Sequence, residues 1–182
     1  MTAALRPLAV ALVTALLVSS CNDEPQPRFE RPTETPSPSE STSSAAAEQE
    51  PWEEKSKAGA VAFARHWIET LNDAQVSGDV EALKTSSSDK CVTCRDLAAQ
   101  LESLYESGGR VETEGWEVLL VGPPPGSVSQ SAEVTLRVAR PPQRVFDGKG
   151  PPQAFEGDRT TFAAGLVWQG DQWLMDELVR FA

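Results

Sequence analysis

Large apolar residues are almost missing from positions 22–56, so that stretch excludes itself from any folded core. Long hydrophobic runs are also scarce. The stretch Leu8–Val18 is apolar apart from Thr14 and is 11 residues long. A helix needs about 20 such residues to cross a bilayer, so this run excludes a lasting membrane span. Basic clusters are absent, Lys is rare beside Arg (5 against 11), and the formal net charge is −11. Phosphate backbones and anionic head groups repel such a chain, which argues against a nucleic-acid partner. Histidine occurs once and cysteine three times. A structural zinc site needs four ligands, and two cysteines with one distant histidine do not supply them, so no metal is expected. Phosphate-cradling glycine loops and nucleophile-elbow patterns are lacking as well, so no cofactor and no catalytic residue is nominated. The run Gly122-Pro-Pro-Pro-Gly126 reads as a turn, because proline has no N–H to offer an anion.

What is present begins with an address. Arg6 supplies a short positive region, the apolar stretch follows, and small residues lead directly to a cysteine in Val18-Ser19-Ser20-Cys21. This is the layout of a signal peptide over residues 1–20. The four-residue end resembles the lipobox of bacterial lipoproteins, with Val18 where leucine is usual. The resemblance implies that Cys21 becomes thioether-linked to diacylglycerol and that cleavage occurs before it. Two acyl chains, at about 0.8 kcal/mol per buried CH₂, make a stable anchor. The expected location is the extracytoplasmic face of the cell membrane, with the membrane itself a partner through Cys21.

Residues 21–51 read as a tether. Pro25, Pro27, Pro32, Pro36, Pro38 and Pro51 alternate with Glu, Ser and Thr, and Phe29 is the only aromatic residue before Trp52. Such a segment cannot bury enough apolar area to offset its ordering entropy and is expected to be disordered. As a coil, roughly 30 residues span about 30 Å.

The folded domain is expected over residues 52–182. Ala60, Phe63, Ala64, Trp67, Leu71 and Ala74 recur at helical spacing, which predicts an amphipathic helix from Ala58 to Ala74 closed by Ser77-Gly78-Asp79. Asp79 suits the N-cap of a short helix over Val80–Lys84. A third helix is predicted from Cys91 to Glu106, with Leu97, Leu101 and Leu104 inward and Gly108-Gly109 as its stop. The apolar period then changes from 3.6 to two. Strands are predicted over Trp116–Val121, Ala132–Arg140, Thr160–Trp168 and Trp173–Phe181, with a hairpin turn at Gly170-Asp171. Helices first and antiparallel strands afterwards make an α+β fold, the helices packed on one face of a curved sheet.

The same order, ending in GDQWLMDEL, resembles the cone of the nuclear transport factor 2-like (cystatin-like) superfamily. More narrowly, FARHWIETLNDAQVSGDVEALKTSSSDKCVTC, LYESGGRVETEGWEV and TTFAAGLVW resemble an uncharacterised family of actinobacterial lipoproteins, the domain of unknown function numbered 6318. That family brings no activity with it. The wider superfamily implies a cone that hosts isomerases, cyclases and dehydratases as well as binding modules.

A few residues stand out as candidates. Cys91 and Cys94 would be the two remaining thiols in an oxidising compartment, which points to a structural disulfide at the start of the third helix. The alternative, a redox centre, lacks the preceding strand of a thioredoxin-like unit. His66 lies off the apolar stripe, at a solvated boundary. Trp116 is a candidate for the wall of a cone cavity. Strict alternation along the last strand puts Trp173, Met175, Glu177, Val179 and Phe181 on one face, so Glu177 is a candidate cavity contact, a carboxylate at or inside the cone, unless it lies beyond the curl of the sheet at the solvated rim. The functional expectation is a non-catalytic binding or accessory module of the cell envelope, its partner an envelope protein or a small hydrophobic ligand. The alternative is a small-molecule enzyme of the isomerase or cyclase type, which needs an acid–base pair in an apolar pocket.

Overall fold

The computed structural model describes residues 49–181. The signal peptide, Cys21 and most of the expected tether lie outside the described residues. A 3-10 turn at Pro51–Glu53 opens the described chain, followed by α1 (Lys57–Ser77), α2 (Glu81–Thr85) and α3 (Val92–Glu106). Seven strands follow: β1 (Arg110–Glu112), β2 (Glu117–Gly122), β3 (Ser131–Arg140), β4 (Gln143–Phe146), β5 (Gln153–Phe155), β6 (Asp158–Gln169) and β7 (Gln172–Arg180). Helices precede antiparallel strands, the α+β order expected from the change of period along the sequence. Among the described residues no helix is long and apolar enough to cross a membrane.

Local chemistry sets the helix ends. Ser56 caps α1 by accepting a hydrogen bond from Gly59 N–H at 3.0 Å. Asp79 lies one residue before the N-cap of α2, yet its carboxylate still accepts from Glu81 N–H at 3.0 Å. Cys91 is the N-cap of α3. The stripe on α1 buries Phe63, Ala64, Trp67, Ile68, Leu71 and Ala74 against the sheet. Two buried indoles are satisfied in the ways burial requires: Trp67 donates to Ser87 Oγ at 3.0 Å and Trp173 to the Glu54 carbonyl at 2.9 Å.

The main sheet has the order β2-β3-β6-β7, and its inner face carries Val134, Leu136, Val138, Phe162, Ala164 and Leu166, all buried. A second sheet of three short strands, ordered β1-β4-β5, continues from its end. Alternation in the sequence does not mark these short strands. The long β3–β6 hairpin passes into β4–β5 across Pro141-Pro142, which interrupt the ladder because proline cannot donate to it. Opposite them Gly157 leaves room for the bend: a Cβ there would sit 2.9 Å from the Arg140 carbonyl and 3.0 Å from Pro142. The hairpin therefore bends, and the second sheet forms one wall of the cone.

One expectation about register is corrected here. Gly165 pairs with Glu177 while Leu166 pairs with Met175, so Asp176 is an extra residue in β7, a β-bulge. The bulge reverses the alternation. Trp173 and Met175 are buried as strict alternation requires, but the next buried position is Leu178, and Glu177, Val179 and Phe181 are exposed. Glu177 lies on the outer face of the sheet, its Cβ against Gly165, and not in the cone. The loop after α2 covers this edge: Met175 N–H donates to the Ser86 carbonyl at 3.0 Å and Ser88 N–H to the Met175 carbonyl at 2.8 Å. Ser88 Oγ also donates to the Asp176 carboxylate, which holds the bulged residue toward that loop.

Candidate ligand cavity

A cavity of about 910 Å³ lies between α1, α3 and the second sheet. It falls in the ~300–1,000 Å³ range of small-molecule sites. Its apolar walls come from Leu71 on α1, from Leu97, Leu101 and Leu104 on α3, and from Val111 and Val145 on the small sheet. Leu101 is buried, whereas Leu97 and Leu104 keep part of their surface free because the space in front of them is not filled by protein. All three were expected to point inward. That Leu97 and Leu104 do so without being fully covered is what makes a cavity rather than a core.

Trp116 forms part of the wall and is held from three sides. Asn72 on α1 clamps its backbone: Trp116 N–H donates to Asn72 Oδ1 at 2.7 Å, and Asn72 Nδ2 donates to the Trp116 carbonyl at 3.0 Å. The preceding residue, Gly115, is buried with φ +83°, and a Cβ there would meet the Asn72 amide at 2.9 Å. Only glycine fits that turn at no steric cost. The indole stacks parallel to Phe162, with ring centroids 5.9 Å apart and planes 9° apart, and the Arg140 guanidinium lies 5.5 Å from its centroid.

Arg140 is itself pinned. Its Nε donates to Asp158 Oδ1 at 2.6 Å and its Nη2 to Oδ2, a bidentate pair across the β3–β6 register. Thr160 Oγ1 donates to the same carboxylate at 3.2 Å. The hydrogen bonds from Arg140 hold the Asp158 carboxyl below its ordinary value of 3.8, and the same contact raises the Arg140 guanidinium. The cavity wall therefore shows a neutralised pair rather than a free cation.

Gln75 is the residue that sequence reasoning missed. It lines the cavity from α1, is only 6% exposed, and its Nε2 is buried without a hydrogen-bond partner. Its signal was available: Gln75 continues the four-residue spacing Trp67, Leu71, and is the one amide on that apolar stripe. The Arg140–Asp158 pair was missed too, because its partners are 18 residues apart and meet only through strand register.

The other candidate residues lie elsewhere. Glu177, on the outer face, is one of the residues around a smaller groove of about 400 Å³ with Pro124, Pro125 and Glu133. Cys91 and Cys94 are buried at the start of α3 and joined as a disulfide, their Cα atoms 5.3 Å apart. His66 stacks on Trp52, with centroids 4.0 Å apart and planes 4° apart, and its Nδ1 lies 3.9 Å from Glu69. That stack, with the bond from Trp173 to Glu54, fastens the beginning of the domain to its body. Neither the cysteine pair nor His66 is among the cavity-lining residues.

A family of unknown function (DUF6318) matches residues 36–179. No curated protein matches the chain. Solved structures similar to this chain include the intermembrane space region of the chloroplast protein ARC6, at 15% identity over 68% of this chain and 94% of that one, with a TM-score of 0.48. The Kfla4162 protein from Kribbella flavida is 14% identical over 66% of this chain and 88% of its own, with a TM-score of 0.40. A substituted form of Rd1NTF2_05 is 12% identical over 65% and 96%, with a TM-score of 0.38. None of these likenesses brings an activity to the present chain.

Proposed function

This chain belongs to the DUF6318 family of unknown function, so its role has to be read from its own residues, and we propose that it is an envelope lipoprotein, anchored through Cys21, whose cone binds a small, mainly hydrophobic molecule. The observation that carries the binding reading is the open cleft of about 910 Å³, where leucines, valines and a fixed tryptophan form an apolar floor among polar residues such as Gln100, Gln143 and Gln153. Filling it would be worth the usual ~25 cal/mol per Å² of apolar surface removed from water. The anchor rests on the apolar stretch that ends in Val18-Ser19-Ser20-Cys21. On this reading the acylated Cys21 sits in the outer leaflet of the cell membrane, and the Pro- and Ser-rich segment carries the cone above the surface.

A catalytic cone is less well supported. An isomerase or cyclase needs an acid and a base held in apolar surroundings. The carboxylates in the cavity lining, Asp96 and Glu156, are exposed, and Arg140 is engaged by Asp158. Glu177, the carboxylate that the alternation of β7 suggested for this purpose, is on the other side of the sheet.

Metabolic labelling with a fatty acid tests the anchor. Cys21→Ala should abolish the label and leave unprocessed precursor, and undiminished label in that variant would sink the lipoprotein reading. For the cavity, Leu101→Trp should fill the space and abolish photolabelling of α3 by a hydrophobic diazirine probe on intact cells. Labelling of α3 that persists unchanged in this variant would place the ligand elsewhere.

A further inference from the structure

The charges on the cleft wall set the sign of what it takes. Arg140 is the one cation among the lining residues, and its Nε and Nη2 both donate to the Asp158 carboxylate. Arg180, outside the lining, turns to the same carboxylate at 3.5 Å. The two carboxylates that do line the cleft are Asp96 on α3 and Glu156 just after β5. Both are exposed, and neither takes part in an ion pair among the described residues. The topology brings them to one end of the cleft. Thr93 Oγ1, at the start of α3, donates at 3.1 Å to the carbonyl of Leu178, close in the chain to Arg180 and its contact with Asp158. Glu156 comes just before Asp158, so it belongs to that end as well. Lining residues at the other end carry no charge. They are Ser107, about 16 Å along α3 from Asp96, with Val111 and Val145 paired on the small sheet.

A cleft lined by one sign of charge over an apolar floor focuses its field, and the chain around it carries a net charge of −11. An anionic amphiphile brought to Asp96 and Glu156 meets like charges, with Arg140 already engaged by Asp158. A neutral amphiphile gains the apolar contacts alone. A cation gains those contacts and the attraction of two carboxylates. Both carboxylates are exposed and stay in contact with water, so the desolvation that makes a buried ion pair costly is avoided. We propose that the cleft selects a cationic amphiphile, an apolar body ending in an ammonium group, with the ammonium at the end bounded by Asp96 and Glu156 and the body over Leu97, Leu101 and Leu104. This rests on the binding reading above and adds the charge of the ligand's polar end to it.

The test uses three photoreactive probes that differ in one group: decylamine, decanol and decanoic acid, each with a mid-chain diazirine. Native lipoprotein on intact cells is labelled with each, and yield is measured on the peptide containing Leu97–Leu104. The amine should label at about tenfold lower concentration than the acid, with the alcohol between them. Raising the salt to about 1 M should shrink that preference, because exposed charges are screened. Asp96→Asn combined with Glu156→Gln should bring the amine and the acid together and leave the alcohol unchanged. Partition of each probe into the membrane is the same for parent and variant, so the change between them belongs to the cleft. Equal labelling by amine and acid in the parent, or a preference that survives the double variant, overturns the charge assignment and leaves a hydrophobic cleft standing. Loss of the alcohol's labelling in the double variant overturns it too, since the carboxylates would then hold the wall rather than select the ligand. Labelling of that peptide by none of the three probes removes the binding reading and this inference with it.

Discussion

Asn72 and Trp116 exchange two hydrogen bonds, side chain to backbone in both directions, at 2.7 and 3.0 Å. Through them a helix residue sets the start of β2 and so the position of an indole on the cavity wall. The two residues are 44 positions apart, and no local rule would pair them.

Replacing Asn72 by Ala should therefore do more than remove a side chain. It leaves the N–H and carbonyl of Trp116 without their partners in a half-buried place, a loss of about 1–3 kcal/mol. Urea denaturation should show that decrease, and tryptophan emission in the native state should shift as the Trp116 indole loosens from Phe162. A stability within a few tenths of a kcal/mol of the parent would show that the clamp holds nothing.

The cysteine pair should be found oxidised. Mass spectrometry of protein taken from the envelope should give one intramolecular disulfide between Cys91 and Cys94. The enclosed loop is very short, so the unfolded chain loses little entropy by closure, and Cys91→Ala with Cys94→Ala should cost about 1 kcal/mol, near the low end of the known range. Free thiols in native protein, or a variant that keeps full stability but loses ligand labelling, would instead assign the pair to redox chemistry.

Acid should weaken the rim of the cavity in a defined direction. The Asp158 carboxyl lies below its ordinary value because Arg140 donates to it, so the pair's contribution is complete above pH 3.8 and declines as pH falls through the lowered value. Arg140, raised rather than lowered, stays charged throughout and adds no change in that window. Asp158→Asn should cost about 1 kcal/mol or less at pH 7, as the partners are each about one-third exposed. The difference from the parent should shrink in urea titrations below pH 4. A difference independent of pH would mean that shape, not charge, is what Asp158 supplies.

Glu177 supplies the control. It is exposed on the outer face opposite Gly165, away from the cavity, so Glu177→Gln should change stability by no more than about 0.5 kcal/mol. Photolabelling of α3 should be the same as in the parent. A loss of labelling would put the carboxylate back in contact with the ligand and reopen the catalytic alternative.

Features that depend on near neighbours in the chain are legible from the residues alone. The stripe from Ala60 to Ala74 specifies α1, because spacing of three and four puts apolar residues on one helical face whatever they later meet. The pair Gly170-Asp171 specifies the β6–β7 turn, since both residues adopt positive φ, at 60° and 63°, as a tight hairpin demands. Other features depend on contacts between distant segments. Nothing in the residues around Asp176 announces a bulge; it exists where the loop carrying Ser86 and Ser88 docks on the edge of β7, and one added residue was enough to turn Glu177 outward. The strands β4 and β5 are four and three residues long, too short to show a period, and form because Pro141-Pro142 end one ladder where Gly157 lets the chain bend into another. Gln75 is legible as a polar residue on an apolar stripe. That its Nε2 is buried without a hydrogen-bond partner was settled by the packing around α1, which no local spacing announces.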